Sequence, residues 1–456
     1  MSVTRSRAFP AVATALLLAA MTFQAVTFQD AAAEERNLAD VQALTRAYNA
    51  SGQMLFRDFA ASPGNVVFSP YSVGTAMAMV LAGTRGGTER EMAAVLQHSL
   101  ARAQINDANA AAIAFLNGYN KGDGAVCPPS MRLKGDRCEA EPDSDTGCPH
   151  PSGQAGDICI AEPKITPSAK LLVANALMFA RGQVAKNYAA LIKDRYSAEV
   201  FQRASLETVN GWVKQRTEGK IEKILDKPSD VVLINAVYFK SRWAVAFDKT
   251  FTKDEAFNLT RSRQEMVPTM LQRANHAVVS RNGYRAIKLP YMVGSLAMVI
   301  ALPNDVEGLG DIARRLDINE LTPMFATLRT ETPRLVDLML PRFKAAYSAD
   351  LKDSFRKAGM TLAFDPRRSD FSGLTGVPPQ TAPTAIDQIV HRAVIDVAEE
   401  STEAAAATAT GVWSSAIPVE PMQFRVDRPF LYYLIDDVTG AVLFQGRVVD
   451  PRYSPV

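Results

Sequence analysis

An α+β fold is what this sequence predicts, and three observations predict it. Up to about Gly118 the apolar residues recur at three-to-four spacing, the signature of helices burying one face. From Leu171 onward they gather in runs of strand length instead. The run Val231-Val232-Leu233-Ile234-Asn235-Ala236-Val237-Tyr238-Phe239 is nearly continuous, as expected of a strand covered on both faces. Between two later apolar runs lies Glu399 to Gly411, a stretch without one large apolar side chain. With 47% hydrophobic and 21% charged residues, a chain of 456 residues has ample material for a large core.

Taken in order, the chain opens with Arg5 and Arg7, an apolar run from Ala11 to about Phe23, and Ala31-Ala32-Ala33 before Glu34. This is the pattern of a secretory leader covering 1–33. An uncleaved anchor is the alternative. Residues 38–62 read as a helix, because Leu38, Val41, Leu44, Tyr48, Leu55, Phe56 and Phe59 share one face. Asn65 to Ser72 turns the chain, and Pro70 suits the start of a helix running through Met79-Val80-Leu81. One or two Ala-rich helices follow over 88–118. Ordered structure then resumes with a strand at Leu171–Phe179, and a helix through Val209, Trp212 and Val213 leads to Lys220-Ile221. Further strands are expected near 285–302, 335–345, 388–398 and 430–449, with helices over 305–328 and 350–360.

The interval 119–167 differs in composition, being rich in Gly, Pro, Asp and Cys, and reads as an insertion. It holds all four cysteines in an internal repeat of period 21: Cys127-Pro128 to Cys138 and Cys148-Pro149 to Cys159. Four cysteines allow three pairings. The repeat favours Cys127 with Cys138 and Cys148 with Cys159, small loops stable in an oxidising compartment. Zinc is the rival, but CxxC spacing is absent and His150 is the only histidine nearby.

The net charge is +2, and losing Arg5, Arg7 and Asp30 with a leader reduces 50 basic and 48 acidic residues to 48 and 47. Such balance argues against nucleic acid or a membrane surface as partner. Arg132, Lys134 and Arg137 are interleaved with Asp136, Glu139 and Glu141, so they read as a solvated loop and not a polyanion site. No GxSxG elbow, HExxH or phosphate-binding glycine loop is present, and the histidines are only His98, His150, His276 and His391. An enzyme, a metal site and a cofactor are therefore not expected.

The stretch from Glu399 has two readings. Four consecutive alanines favour helix, which Ser401 or Thr402 would cap. Read with a period of two, one face carries Thr402, Ala404, Ala406, Thr408, Thr410 and Val412, small and uncharged throughout. That face can enter a tight core as a strand without stranding a charge.

Motifs spread along the chain resemble, in order, those of the serpin family of protease inhibitors. They are Asn65, Phe68-Ser69-Pro70 and Ser72; Trp212-Val213, Thr217 and Gly219-Lys220-Ile221; and Asn235-Ala236-Val237-Tyr238-Phe239-Lys240 with Trp243 and Phe247. Leu289-Pro290-Tyr291, Leu340-Pro341-Arg342-Phe343, Gly359-Met360, Asp370-Phe371-Ser372-Gly373 and Arg428-Pro429-Phe430 continue the match. The likeness spans about 38–118 and 168–452. It implies a serpin fold over 34–456, interrupted by the insertion, with about eight to nine helices, three β-sheets and an exposed reactive-centre loop.

The resemblance also implies a function. A target serine protease attacks the loop, and the loop then inserts into the central sheet and distorts the tethered enzyme. The hinge becomes Glu399, Glu400, Ser401, Thr402, Glu403, Ala404, Ala405, Ala406, Ala407 and Thr408. Ser69, Ser72, Asn235 and His391 match the family's polar cluster under the point of opening, and Trp243 the tryptophan at its top. Two departures stand out. Ser401 occupies a hinge position usually held by glycine and lacks its free φ, which implies slower insertion. The loop is also longer than usual. Counting forward from Glu399 places the cut after Ser415, and counting back from Pro429 places it near Pro418; Ser415–Ala416 is preferred. The window Trp413 to Ile417 has no charged residue, which suits an elastase-, subtilisin- or chymotrypsin-like protease better than a trypsin-like one. A secreted or periplasmic monomer is expected. A carrier, chaperone or binding protein on the same fold is the other reading. A bulky or charged inward-facing hinge residue would favour that reading, and none is seen.

Overall fold

The computed structural model describes residues 12–452 except 60–62, 228, 293, 400–419 and short gaps between 122 and 168. Glu400 to Thr408 of the hinge, the Ser415–Ala416 bond and Cys127 therefore lie outside the described residues. The fold is mixed α+β, and a five-stranded sheet is its centre. The strand order is Phe343–Asp350, Gln388–Val397, Val231–Ser241, Ala169–Phe179 and Glu199–Gln202. A nine-stranded assembly packs beside it and is two sheets sharing one long strand, Arg263–Arg281. Residues 277–281 of that strand pair with Tyr284–Pro290, while 269–276 pair with Arg334–Pro341.

The helix Pro70–Ala82 is buried along its whole length, which its sequence of Ala, Met, Val and Leu permits. Pro70 fits its first turn, and the Ser69 hydroxyl accepts the backbone N–H of Ser72. Gly74 lets Tyr48 lie across this helix, since a Cβ there would fall 2.3 Å from the ring. The main core fills the space between this helix and the two large sheets. A second, smaller core covers the opposite face of the five-stranded sheet. There Val209 and Val213 of helix Leu206–Arg216 meet Ala174, Ala176, Val232, Ile234, Val390 and Val394.

Ten α-helices occur among the described residues, against the eight or nine expected. Leu309–Arg315, Lys352–Lys357 and Ser372–Thr375 are little more than single turns. The helical pattern over 305–328 is two helices, because Asp317 accepts the N–H groups of Asn319 and Glu320 and starts the second. The helix expected over 38–62 runs as Val12–Phe59, back through the stretch read as a leader. Val66–Phe68, expected as part of a turn, pairs as a strand with Gln445–Arg447. Several elements escaped the sequence reading: helix Lys186–Tyr196, the strands Lys253–Thr260 and Arg263–Arg281, the strands Glu199–Gln202 and Met422–Arg425, and the short strands of the insertion. Helix Lys186–Tyr196 buries only Tyr188, Ile192 and Tyr196, and the strands Lys253–Thr260 and Arg263–Arg281 are largely polar with one wet face.

The insertion is built on a stalk, Gly124–Val126 paired with Lys164–Thr166. Beyond it a four-stranded sheet runs Arg132–Lys134, Arg137–Ala140, Ile158–Ala161, Gly153–Ala155. Its inner register pairs Cys138 with Ala161 and Ala140 with Cys159, so the two repeat copies meet about a pseudo-two-fold axis. Cys148 and Cys159 are joined by a disulfide, and Cys138 is disulfide-bonded as well.

Candidate functional site

The strand Val231–Ser241 sits between unlike neighbours. On one side it makes eleven antiparallel pairs with Ala169–Phe179. On the other it makes eight parallel pairs with Gln388–Val397, from Val232 with Gln388 to Phe239 with Ile395. This parallel seam is where the predicted residues gather.

One register row crosses it. Asn175, Asn235 and His391 are direct neighbours on three strands. His391 is fully buried, and burial pushes its pKa down to about 3. Its partners define the neutral tautomer: Nε2 accepts the Ser69 backbone N–H at 3.3 Å, so Nδ1 carries the proton and donates to Asn235 Oδ1 at 2.5 Å. The Asn235 amide then donates to Ser72 Oγ at 2.5 Å, to the Ser72 carbonyl at 3.0 Å and to Asn175 Oδ1 at 2.6 Å. The Phe68 ring meets His391 edge-on at 5.1 Å. The network thus ties the seam to the N-terminus of the central helix.

The same geometry excludes hydrolytic use of these serines. The Ser69 hydroxyl donates to the Leu443 carbonyl at 2.6 Å, and both serines are sealed from solvent. His391 Nε2 accepts a backbone N–H and not a serine hydroxyl, so neither Ser69 nor Ser72 is activated by it.

At the end of the seam the chain leaves Val397 for the hinge and is held twice. The Trp243 indole N–H donates to the Ala398 carbonyl at 2.9 Å, while its ring stacks on Tyr291 at 4.4 Å. Glu399, only 2% exposed, accepts the Thr252 hydroxyl at 2.7 Å and pairs with the half-exposed Arg342 at 3.3 Å. The structure therefore brings Ser69, Ser72, Asn235 and His391 into one network, and puts Trp243 and Glu399 together at its mouth.

Sequence reasoning gave no role to Asn175, Phe68, Thr252 or Arg342. Asn175 carried a usable signal, being a lone amide in an apolar strand, like Asn235. Thr252 carried none, because its partner lies far along the chain, and Arg342 stood inside the motif Leu340-Pro341-Arg342-Phe343 without a role.

The comparisons agree with this architecture. A family model described as "Serpin (serine protease inhibitor)" matches residues 46–451. A protein named "Serine protease inhibitor" from Cyanea capillata is 30% identical, over 85% of this chain and 92% of its own length. The human leukocyte elastase inhibitor is 30% identical over 85% and 93%. Among solved structures, native protease nexin-1 with heparin superposes with a TM-score of 0.70 at 23% identity, covering 90% of this chain and all of the other. The chain belongs to the serpin family.

Proposed function

We propose that this protein inhibits serine proteases as a suicide substrate, by inserting its cleaved reactive loop into the parallel seam. The observation that carries the proposal is the seam's position directly before the small-residue hinge. A segment that turns back after Glu399 and enters between Val231–Ser241 and Gln388–Val397 runs antiparallel to both. One parallel ladder becomes two antiparallel ones, with slightly better pairing per residue. About thirteen residues at ~3.3 Å each make a strand on the order of 40 Å long. Each inserted residue gains ladder hydrogen bonds that an exposed loop lacks. The native form is then metastable and held by a kinetic barrier.

Glu399 to Thr408 form the hinge in this reading, and Ser415–Ala416 is the bond cut. The names of two relatives, a serine protease inhibitor and a leukocyte elastase inhibitor, support this class of target. The uncharged window Trp413 to Ile417 favours elastase-, subtilisin- or chymotrypsin-like enzymes. Export with loss of residues 1–33 accords with the disulfide-bonded insertion.

Mixing the mature chain with pancreatic elastase, subtilisin and chymotrypsin tests the proposal. An SDS-resistant complex is expected, with mass spectrometry locating the cut within 413–417. Cleavage of the loop by all three without any complex would overturn it and favour a carrier or binding role.

A further inference from the structure

Opening the seam by one strand requires the strands on its two sides to separate by about 4.8 Å. Strands Val231–Ser241, Ala169–Phe179 and Glu199–Gln202 lie on one side. Besides the seam network, a strap ties this side to the nine-stranded assembly. It is the two-residue segment Tyr119-Asn120, just past helix Arg102–Gly118. The Asn120 side chain clamps the strand end at Leu171, accepting its N–H at 2.7 Å and donating to its carbonyl at 2.9 Å. The adjacent Tyr119 hydroxyl reaches the other way, donating to Asp436 Oδ2 and lying 2.5 Å from Ser295 Oγ. Asp436 is 1% exposed, at the end of strand Phe430–Asp436. Its other oxygen accepts the N–H and hydroxyl of Thr439, each at 2.7 Å. That anchor is rigid and belongs to the body that the strand must leave.

We infer that Tyr119 is a positioning residue for loop insertion: its bond to Asp436 holds the closed sheet and is broken in the inserted one. This rests on the reading of the seam given above. A displacement of one strand spacing exceeds hydrogen-bond reach, so either the Asn120 clamp or the Tyr119 anchor must yield. The clamp on Leu171 has two bonds to one residue and moves with the strand. The anchor is the end that parts. Its loss strips one donor from a buried carboxylate, so it raises the barrier to opening without stabilising the product.

Tyr119→Phe removes the hydroxyl and nothing else, with Ser295→Ala as a second variant. Uptake of a synthetic peptide with the sequence of residues 400–411 is expected to accelerate about ten-fold. The thermal midpoint of the intact protein should fall by about 1–3 °C, while that of the loop-cleaved protein stays unchanged. Tyr284→Phe is the control, because its hydroxyl donates to Glu320 within the body; it should lower both forms alike. Equal shifts of intact and cleaved Tyr119→Phe, with unchanged peptide uptake, would overturn the strap. A wild-type protein that neither takes up peptide nor gains stability on cleavage would overturn the insertion reading itself, and the strap with it.

Discussion

The two ladders of strand Val231–Ser241 differ in length, direction and chemistry. Against Ala169–Phe179 it pairs antiparallel over its whole length, Val231 to Ser241. Against Gln388–Val397 it pairs parallel over eight residues, and Glu399 leaves from the end of that partner. Both ladders are crossed by the Asn175–Asn235–His391 row, but only at the seam is the row tied to the central helix through Ser69 and Ser72. A sheet built only for stability has no need of a buried imidazole there, since unmet polar groups in a core are costly. The lesson is that the weak side is locked by specific hydrogen bonds and not by apolar packing alone. Such a lock can be released.

Breaking the mouth of the seam should have the largest effect. Glu399→Lys places a second cation beside Arg342 and buries it without a partner. We expect a loss of about 3–5 kcal/mol in the intact protein, read from its urea midpoint, with little change in the cleaved form. If both forms lose equally, Glu399 is not part of the closed state's lock.

Asn235→Ala comes next. It leaves the His391 Nδ1–H without its acceptor and removes the bonds to Ser72 and Asn175, a cost of about 2–3 kcal/mol. Strand Val231–Ser241 should then part from its parallel neighbour first, so hydrogen exchange should rise at Val390–Val394 before it rises at Leu172–Ala176.

Acid should weaken the same lock. His391 is held near 3, well below the ordinary 6.5, so the unfolded chain takes up a proton that the folded chain refuses. Its contribution is full above about pH 6.5 and is lost as pH falls toward 3, up to about 2 kcal/mol by pH 5. His98 and His276, each pushed by burial to about 4, add slopes of the same sign. The stability difference between wild type and His391→Gln, measured at pH 7.5 and pH 5, isolates the seam histidine. A constant difference would rule it out as the acid-sensitive group.

The smallest effect should come from the insertion. Its own small core holds Cys138, Cys159 and Ala161, separate from the cores of the body. Cys148→Ala should therefore shift the main thermal transition by less than about 1 °C, while limited proteolysis between 119 and 167 increases.

Much of this was legible in the chain. The continuous run Val231–Phe239 announced a strand covered on both faces, and the period-21 repeat announced its own pairing, of which Cys148–Cys159 is the described half. Helix Lys186–Tyr196 carried a usable signal that was passed over, since its three buried side chains, Tyr188, Ile192 and Tyr196, recur every four residues. The polar hairpin 253–281 was hidden because over 253–273 its strands alternate around wet residues, and only Phe257, Val267 and Met270 are buried apolar side chains there. At the site, the network of Asn235 and His391 came with the motifs. Arg342 came with a motif too, but its pairing with Glu399 did not, and Thr252 did not come at all, because pairing across long stretches of chain leaves no local pattern. Nothing in local spacing singles out the Tyr119 strap either.

The row Asn235–His391 lies at the fourth of the eight parallel pairs, midway along the seam. Anything entering from the Glu399 end first parts Phe239 from Ile395, Tyr238 from Val394, Val237 from Ala393 and Ala236 from Arg392. Those pairs carry no side-chain bond to the histidine row, so they peel one at a time. At the midpoint the zip meets a toothed catch: a proton on Nδ1, two amides and a helix cap that let go together. On the proposed insertion reading, penetration would be graded to halfway and all-or-none beyond it, a zip with one tooth.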